Sequence, residues 1–391
     1  MPWSEATAMG ERKKFIDDLL DRRYSVSELC AKYGISRKTG YKWIERFRLE
    51  GVQGLEDRSH APAVVHNRTR PEIEQALIAA RHRHPTWGPA KLLYEVGQKQ
   101  PQWLLPHEST VCDILKRNGL VRARVRRRPY GHPGRPTQEI ARPNDCWSAD
   151  FKGQFRLGNG QYCYPLTVTD NYSRYLLEVR GLNGTVHDDS KRVFARLFKE
   201  YGLPARIRTD NGVPFAAASL GRLSRLSVWW IKLGVLPELI EPGKPQQNGR
   251  HERMHKTLKD ETTMPPAYSL AGQQRKFDHF RGEFNDERPH EALDMTPPAS
   301  WYQPSNRSMP DKLLEPDYPD RFEVRLVSGN GGVRWRQHWV NVTSVLVGEY
   351  IGFEEMADGL WDVYFGPMRI GRFHERLLRI EDSLSKLKRR V

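Results

Sequence analysis

Cysteine is scarce in this chain. Four occur among 391 residues, Cys30, Cys112, Cys146 and Cys163. They stand in unrelated contexts with no Cys-x-x-Cys pair, so neither a disulfide framework nor a zinc ribbon is supported, and a reducing cytosol fits. Long apolar runs are missing too. No stretch of 18 apolar residues occurs, and Met1 opens no charged, apolar, small-residue leader, which argues against membrane insertion and secretion. The expected location is the cytoplasm, in association with the nucleoid. Negative charge is the third deficit: 63 Lys and Arg stand against 48 Asp and Glu, a formal charge of +15. Such a surplus favours a polyanionic partner, since counterions displaced from phosphates drive association, and nucleic acid leads. With 38% hydrophobic residues the chain can bury packed cores, and its length suggests two to four domains.

What is present comes in blocks. Residues 11–21, 27–33 and a third stretch from Ser36 predict helices, with Ser27 and Ser36 as N-caps, Gly34 as the turn, and Val26, Leu29, Ile35 and Ile44 as contacts between helices. This is a helix-turn-helix pattern over residues 1–58, in which Arg37, Lys38, Tyr41 and Lys42 of the third helix meet DNA. A plain three-helix bundle is the alternative. Residues 59–70 have the Gly, Pro, His and Arg content of a linker. A second helical DNA-binding domain is expected over 71–120, with helices at 71–83, 90–96 and 110–118 and with Lys116 and Arg117 as DNA contacts. In the segment 121–142, Arg122, Arg124, Arg126, Arg127, Arg128 and Arg135 mix with Pro129, Pro133 and Pro136. That composition predicts an extended basic strap along phosphates or a minor groove, a solvated linker being the alternative.

Residues 143–305 carry strand patterns at 145–154, 162–169, 175–180 and 205–209, an amphipathic helix at 188–201 stopped by Gly202, and a later helix at 273–286. The expectation is a mixed α/β core. Prolines around 296–310 mark a boundary. Short strands at 322–327, 332–335, 338–342, 350–355 and 361–365 then predict a small β-barrel over 318–380, ahead of a basic tail at 381–391. The chain is therefore expected to be multidomain: N-terminal all-α helix-turn-helix domains, a central α/β core and a C-terminal small β-barrel.

Three acids stand out. Asp150 and Asp210 end apolar, strand-like runs, and Glu252 lies at the start of a helix-like stretch at 247–261. Converging, they suggest a two-metal phosphodiester site, in which cations about 3.5–4 Å apart clamp the attacking and leaving oxygens. Magnesium suits such a site because it takes hard oxygen ligands and keeps several waters. Asp150 is the choice for a ligand shared by both ions, Asp210 for one metal and Glu252 for the other. His255, Lys256 and Lys259 follow Glu252 by three, four and seven positions and are expected on its helix face, Lys256 and Lys259 as phosphate contacts. Asp170 is the rival metal ligand.

Around these acids the sequence resembles the DDE transposases of bacterial insertion sequences, whose catalytic core is like that of retroviral integrase. The resemblance is carried by Asp150, by Thr169-Asp170-Asn171-Tyr172-Ser173-Arg174, by Asp210-Asn211-Gly212, by Glu252 with Thr257-Leu258-Lys259, by Phe284-Asn285, and by Arg288-Pro289-His290 and Thr296-Pro297-Pro298. It covers about residues 145–302. One departure is visible: Asp210 and Glu252 are 42 positions apart, longer than in many relatives, with the excess expected in 216–230. The resemblance implies an RNase H-like core, with early strands antiparallel and later ones parallel. It implies two Mg²⁺ ions, with Mn²⁺ a possible substitute, at Asp150, Asp210 and Glu252. It also implies a homodimer or higher homo-oligomer that binds the terminal inverted repeats of its element, cleaves the ends and joins them to target DNA. In that family Asp170 supports the sheet, and Arg288 and His290 are expected to pack or pair with an acid. A non-catalytic DNA-binding regulator and a nuclease that cleaves without joining are the competing readings.

Overall fold

The computed structural model of the chain describes residues 7–58, 68–121, 140–240, 249–313 and 315–383. It divides into two compact units, Met1–Thr69 and Arg70–Val391, each taken by itself below.

The first unit holds α1 (Ala8–Leu20), α2 (Val26–Lys32) and α3 (Arg37–Glu50) around Phe15, Ile16, Leu29, Cys30, Trp43 and Leu55. Ser36 caps α3 as predicted, accepting from the Thr39 amide at 3.1 Å. The cap of α2 is Ser25 rather than Ser27. Ser25 Oγ accepts from the Glu28 amide while the Glu28 carboxylate takes the Ser25 N–H at 2.8 Å, a reciprocal box that Ser27 lacks, because Cys30 stands three residues after it. The turn between α2 and α3 depends on a small residue inside the third helix. A Cβ on Gly40 would lie 2.5 Å from Cys30 Sγ, so the close crossing of the two helices tolerates glycine alone.

The second unit begins with α4 (Pro71–Arg83), α5 (Pro89–Lys99) and α6 (Glu108–Arg117). The first two start on proline, whose missing N–H costs nothing at that position. Leu77, Ala80, Trp87, Leu92, Val111 and Ile114 form their core.

The central sheet contains β1 (Trp147–Phe151), β2 (Phe155–Arg156), β3 (Tyr162–Asp170), β4 (Leu176–Leu182), β5 (Arg206–Thr209) and β6 (Leu236–Leu239). β3 pairs antiparallel with β1, β2 and β4, whereas β5 joins β1 and β6 in parallel. This is the order of an RNase H-like core: an antiparallel meander extended by parallel strands. One face is covered by α7 (His187–Tyr201) and α8 (Arg225–Lys232), through Phe194, Leu197, Phe198, Trp229 and Trp230. The other is covered by α9 (Gly249–Thr262) and α10 (Leu270–Gly282), through Met254, Leu258, Phe277 and Phe280. Asn285 completes that layer, its side-chain amide accepting from the Leu176 N–H at 2.8 Å and donating to the Leu176 carbonyl at 3.0 Å.

The C-terminal strands are β7 (Glu323–Leu326), β8 (Gly332–Trp335), β9 (His338–Asn341), β10 (Tyr350–Ala357), β11 (Leu360–Phe365), β12 (Met368–His374) and β13 (Arg379–Asp382). They form no closed barrel. The sheet runs β13-β12-β11-β10-β7, and β8 and β9 pair with each other as a separate hairpin. Trp335 of the hairpin packs on Phe353 and Phe373 of the sheet, so side chains rather than hydrogen-bonded edges close the core. The same core takes Leu223, Val228 and Ile231 from the central domain, and Lys232 Nζ pairs with Glu349 at 2.8 Å. Helix α8 therefore serves two cores, with Leu226, Trp229 and Trp230 turned into the first and Val228 and Ile231 into the second. The long spacing between Asp210 and Glu252 accommodates this shared helix. Truncating Ile231 to alanine should cost about 2–5 kcal/mol, the usual range for a buried isoleucine, read as a lowered denaturation midpoint in urea.

Candidate metal centre and nucleic-acid surface

Strand pairing brings two of the predicted carboxylates together. Ala149 lies opposite Thr209 in the parallel β1–β5 ladder, so Asp150 and Asp210 follow at the same end of adjacent strands. The Asp150 side chain is only 20% exposed. Burial, then the Asp210 charge, push its carboxyl up to about 7, with the Glu252 charge acting the same way; the Phe151 N–H and the Lys152 ammonium oppose them. Asp210 turns outward on its Asn-Gly bend. The Gly212 N–H donates to its Oδ1 at 3.1 Å, Asn211 Nδ2 donates to the Ile240 carbonyl at 2.9 Å, and a Cβ on Gly212 would sit 3.0 Å from Asp210 Oδ2.

Glu252 lies in the first turn of α9, exposed together with Arg253, Lys256 and Lys259, whereas His251, Met254, His255 and Leu258 are buried. His255 therefore leaves the exposed face on which the spacing from Glu252 put it. The row 251, 254, 255 and 258 has the i, i+3, i+4, i+7 rhythm of a helix face that packs on a sheet. His251 carries no prediction, although that rhythm was available to find it. Both imidazoles meet Thr167, their Nε2 atoms 2.7 and 2.6 Å from its Oγ1, and Thr169 Oγ1 is 2.9 Å from His251 Nδ1. Burial drives His251 to about 3 and His255 to about 2, so both are neutral. Among the described residues, the group of possible metal donors whose atoms lie within 4.8 Å of one another is Asp150 with His251 and His255, rather than the three carboxylates.

Asp170 is structural. Its Oδ1 accepts the Asn144 N–H at 2.8 Å, and its Oδ2 accepts the Ser173 N–H at 2.8 Å and hydroxyl at 2.6 Å, which pins the β3–β4 turn. Arg174 follows on that turn. It donates to the Asn171 carbonyl at 2.8 Å, the same oxygen that receives Arg250 at 3.1 Å. Burial, and then the Arg250 charge, lower the Arg174 guanidinium to about 10. Sequence reasoning missed this convergence of cations beside Glu252. Arg288 is buried and pairs with Glu261, and its Nη2 donates to Thr86 Oγ1 at 3.2 Å, while Glu283 meets His84 Nδ1 at 3.1 Å. The helices α4–α6 are thereby tied to the core.

Arg37, Lys38, Tyr41 and Lys42 are all exposed on α3, where Lys42 Nζ lies 4.8 Å from the Trp43 ring. Lys116 and Arg117 are exposed in the last turn of α6, a position favoured for cations by the helix dipole whatever the partner, and Arg117 lies 3.4 Å from Glu74. Arg122, Arg124, Arg126, Arg127, Arg128 and Arg135 fall outside the described residues, as does the tail beyond 383. The four cysteines are free thiols, and no helix among the described residues is long and apolar enough to cross a membrane.

A helix-turn-helix domain family matches residues 11–63 and a homeodomain-like domain family residues 39–115, while two integrase core domain families match 140–245 and 233–298. The insertion element IS407 uncharacterized 31.7 kDa protein of Burkholderia multivorans is 26% identical over 249 residues, covering 61% of this chain and 85% of the relative. The insertion element IS476 uncharacterized 39.2 kDa protein of Xanthomonas euvesicatoria is 29% identical over 160 residues, 41% of this chain and 44% of that one. Among solved structures, the HTLV-2 integrase catalytic core domain in complex with magnesium aligns with 41% of this chain and 98% of its own, at 14% identity and a TM-score of 0.33.

The raised Asp150 carboxyl has a consequence for stability. Below pH about 3.8 it is protonated folded and unfolded and contributes nothing. Between there and about 7 the unfolded chain gives up its proton first, so stability falls as pH rises and levels off above about 7. In metal-free buffer Asp150→Asn should therefore be more stable than the parent at pH 8, by a few kcal/mol at most, with the difference gone near pH 4. Paired denaturation curves at the two pH values check this.

Proposed function

We propose, for a chain that belongs to the transposase and integrase-like family of insertion sequences by its integrase core and helix-turn-helix domains, that it cleaves the ends of its element and joins them to target DNA. The carrying observation is the parallel pairing of β1 with β5, which sets Asp150 beside Asp210, together with the Glu252 charge felt at Asp150. The Asp210 and Glu252 charges both act against the ionised form of the partly buried Asp150, and a divalent cation relieves such repulsion, so the donor set fits a hard metal. Asp150, Asp210 and Glu252 are the residues that would hold two Mg²⁺ ions, with Mn²⁺ as a substitute. When bound, such ions lower the pKa of an attacking water and stabilise charge on the leaving oxygen.

The chain's own groups do the rest. Asp150 lies on a strand held on both sides by neighbouring strands, so its oxygens keep one position while substrates change. Lys256 and Lys259 are exposed on the Glu252 helix and contact substrate phosphates. Arg37, Lys38 and Tyr41 contact the inverted repeats from α3 at base edges and phosphates, with Lys42 on a phosphate, and Lys116, Arg117 and the strap with Arg122, Arg124, Arg126, Arg127 and Arg128 follow the backbone. The domain division keeps the boundaries drawn above, with recognition in 1–58 and 71–120 and chemistry in 143–305. A homodimer or higher oligomer holds the two ends together, in the cytoplasm on the nucleoid.

Purified protein with Mg²⁺ and labelled DNA from both flanks of the gene tests the reading. Cleavage followed by joining is expected. Binding without cleavage would indicate a regulator, and cleavage without joining a nuclease. Asp150→Asn, Asp210→Asn and Glu252→Gln should each lower cleavage about 1000-fold or more, as the loss of several kcal/mol of metal-borne stabilisation implies, while gel shifts show DNA binding retained. Lys42→Ala should weaken binding to all sequences alike and reduce the slope of log affinity against log salt by about 1, measured by fluorescence anisotropy.

A further inference from the structure

Thr167 carries one hydroxyl proton and has three polar neighbours. Its Oγ1 lies 3.0 Å from the Asp150 carbonyl, 2.7 Å from His251 Nε2 and 2.6 Å from His255 Nε2. A carbonyl only accepts, so the hydroxyl donates there and both imidazoles donate to it. Both rings are thereby fixed with the proton on Nε2 and a lone pair on Nδ1. His251 Nδ1 is satisfied, since the Thr169 hydroxyl donates to it at 2.9 Å. His255 Nδ1 is different. Its lone pair faces Asp150 Oδ2 at 3.8 Å, too far for a hydrogen bond, with one acceptor set against another.

We propose that His255 Nδ1 is a nitrogen donor to the divalent cation held at Asp150, making this a mixed carboxylate and imidazole site that favours Mn²⁺ over Mg²⁺. The inference rests on the reading of Asp150 as a metal ligand. Three features support it. Asp150 and His255 belong to the donor group gathered within 4.8 Å, and His255 Nδ1 lies 3.8 Å from Asp150 Oδ2. The imidazole is oriented as metal-binding histidines are, its other nitrogen donating to a fixed oxygen that selects the tautomer; here that oxygen is itself bonded to the backbone of Asp150, so ligand and orienting group share one strand. The His255 side chain is 6% exposed, so bulk solvent has little access to the lone pair. Mg²⁺ demands oxygen ligands, whereas softer divalent ions accept imidazole, so a nitrogen donor shifts preference away from magnesium. His251, with both nitrogens committed to threonines, is a positioning residue that packs edge-on against the His255 ring, centroids 4.5 Å apart.

The test uses the full-length, untagged protein with Mn²⁺ alone as the probe, and pulsed EPR to read nitrogen hyperfine coupling. Protein grown on histidine carrying the heavy nitrogen isotope should show the coupling pattern of that isotope, and Asp150→Asn should displace the ion. His255→Gln should remove the coupling while His251→Gln keeps it, and should weaken Mn²⁺ about 10-fold or more, the scale on which even groups orienting a ligand act, with competing Mg²⁺ changed far less. Mn²⁺ displaced by Asp150→Asn but lacking histidine coupling overturns the inference and leaves the carboxylate site intact. No Mn²⁺ bound at all overturns both. If His255→Gln fails to fold, as a thermal melt reports, the isotope result on the unsubstituted protein decides.

Discussion

The pairing of β1 with β5 is the constraint on which the rest of the site depends. Residues opposite one another in a parallel ladder stay opposite to the strand ends, so Ala149 against Thr209 leaves the next two residues no choice but to emerge side by side. Both are aspartates. Water would screen their repulsion, yet the hydrophobic layers above and below the sheet exclude it from Asp150, and the cost appears as a carboxyl that holds its proton to about 7. The fold spends stability to concentrate negative charge. Such an arrangement is sustainable where a bound cation offsets it, which is why the strained electrostatics and the donor chemistry argue for the same role.

Much of this was legible before any coordinates. Strand ends announced Asp150 and Asp210 because an apolar run stopped at each, and the antiparallel order of β1, β3 and β4 followed from the resemblance. Asp170 ranked behind Asp150, and in the structure its oxygens are engaged by the Asn144 and Ser173 amides and the Ser173 hydroxyl. What stayed hidden depends on contacts between distant segments. Gly40 looks like a defect in a helix until Cys30 is seen against it. His255 was assigned by its distance from Glu252, but a helix offers neighbouring faces at that spacing, and the sheet decides which is buried. Ser27 and Ser25 are equally good caps by composition; the Glu28 carboxylate selects one.

The C-terminal region shows a different failure. Alternation located five of the seven strands among its described residues, but strand count and closure are set by edge pairing, which leaves no periodic trace. The residues that finish the core come from elsewhere: Leu223, Val228 and Ile231 are contributed by the segment that lengthens the interval before Glu252. An interval that looks like a loop insertion is thus the socket for another domain, and its apolar residues face two ways because two cores compete for one short helix.

Helix α9 carries the consequence into function. Glu252 lies in its first turn, and Glu261, near its last, pairs with Arg288 beside Thr86 of the α4–α5 connection. Nine residues of helix separate the two acids, about 14 Å along the axis at 1.5 Å per residue. A helix packed on a sheet by His251, Met254, His255 and Leu258 does not stretch or slide easily, because each side chain is seated among fixed neighbours. The helices α4–α6 are therefore held at a set distance from Glu252 by one packed helix.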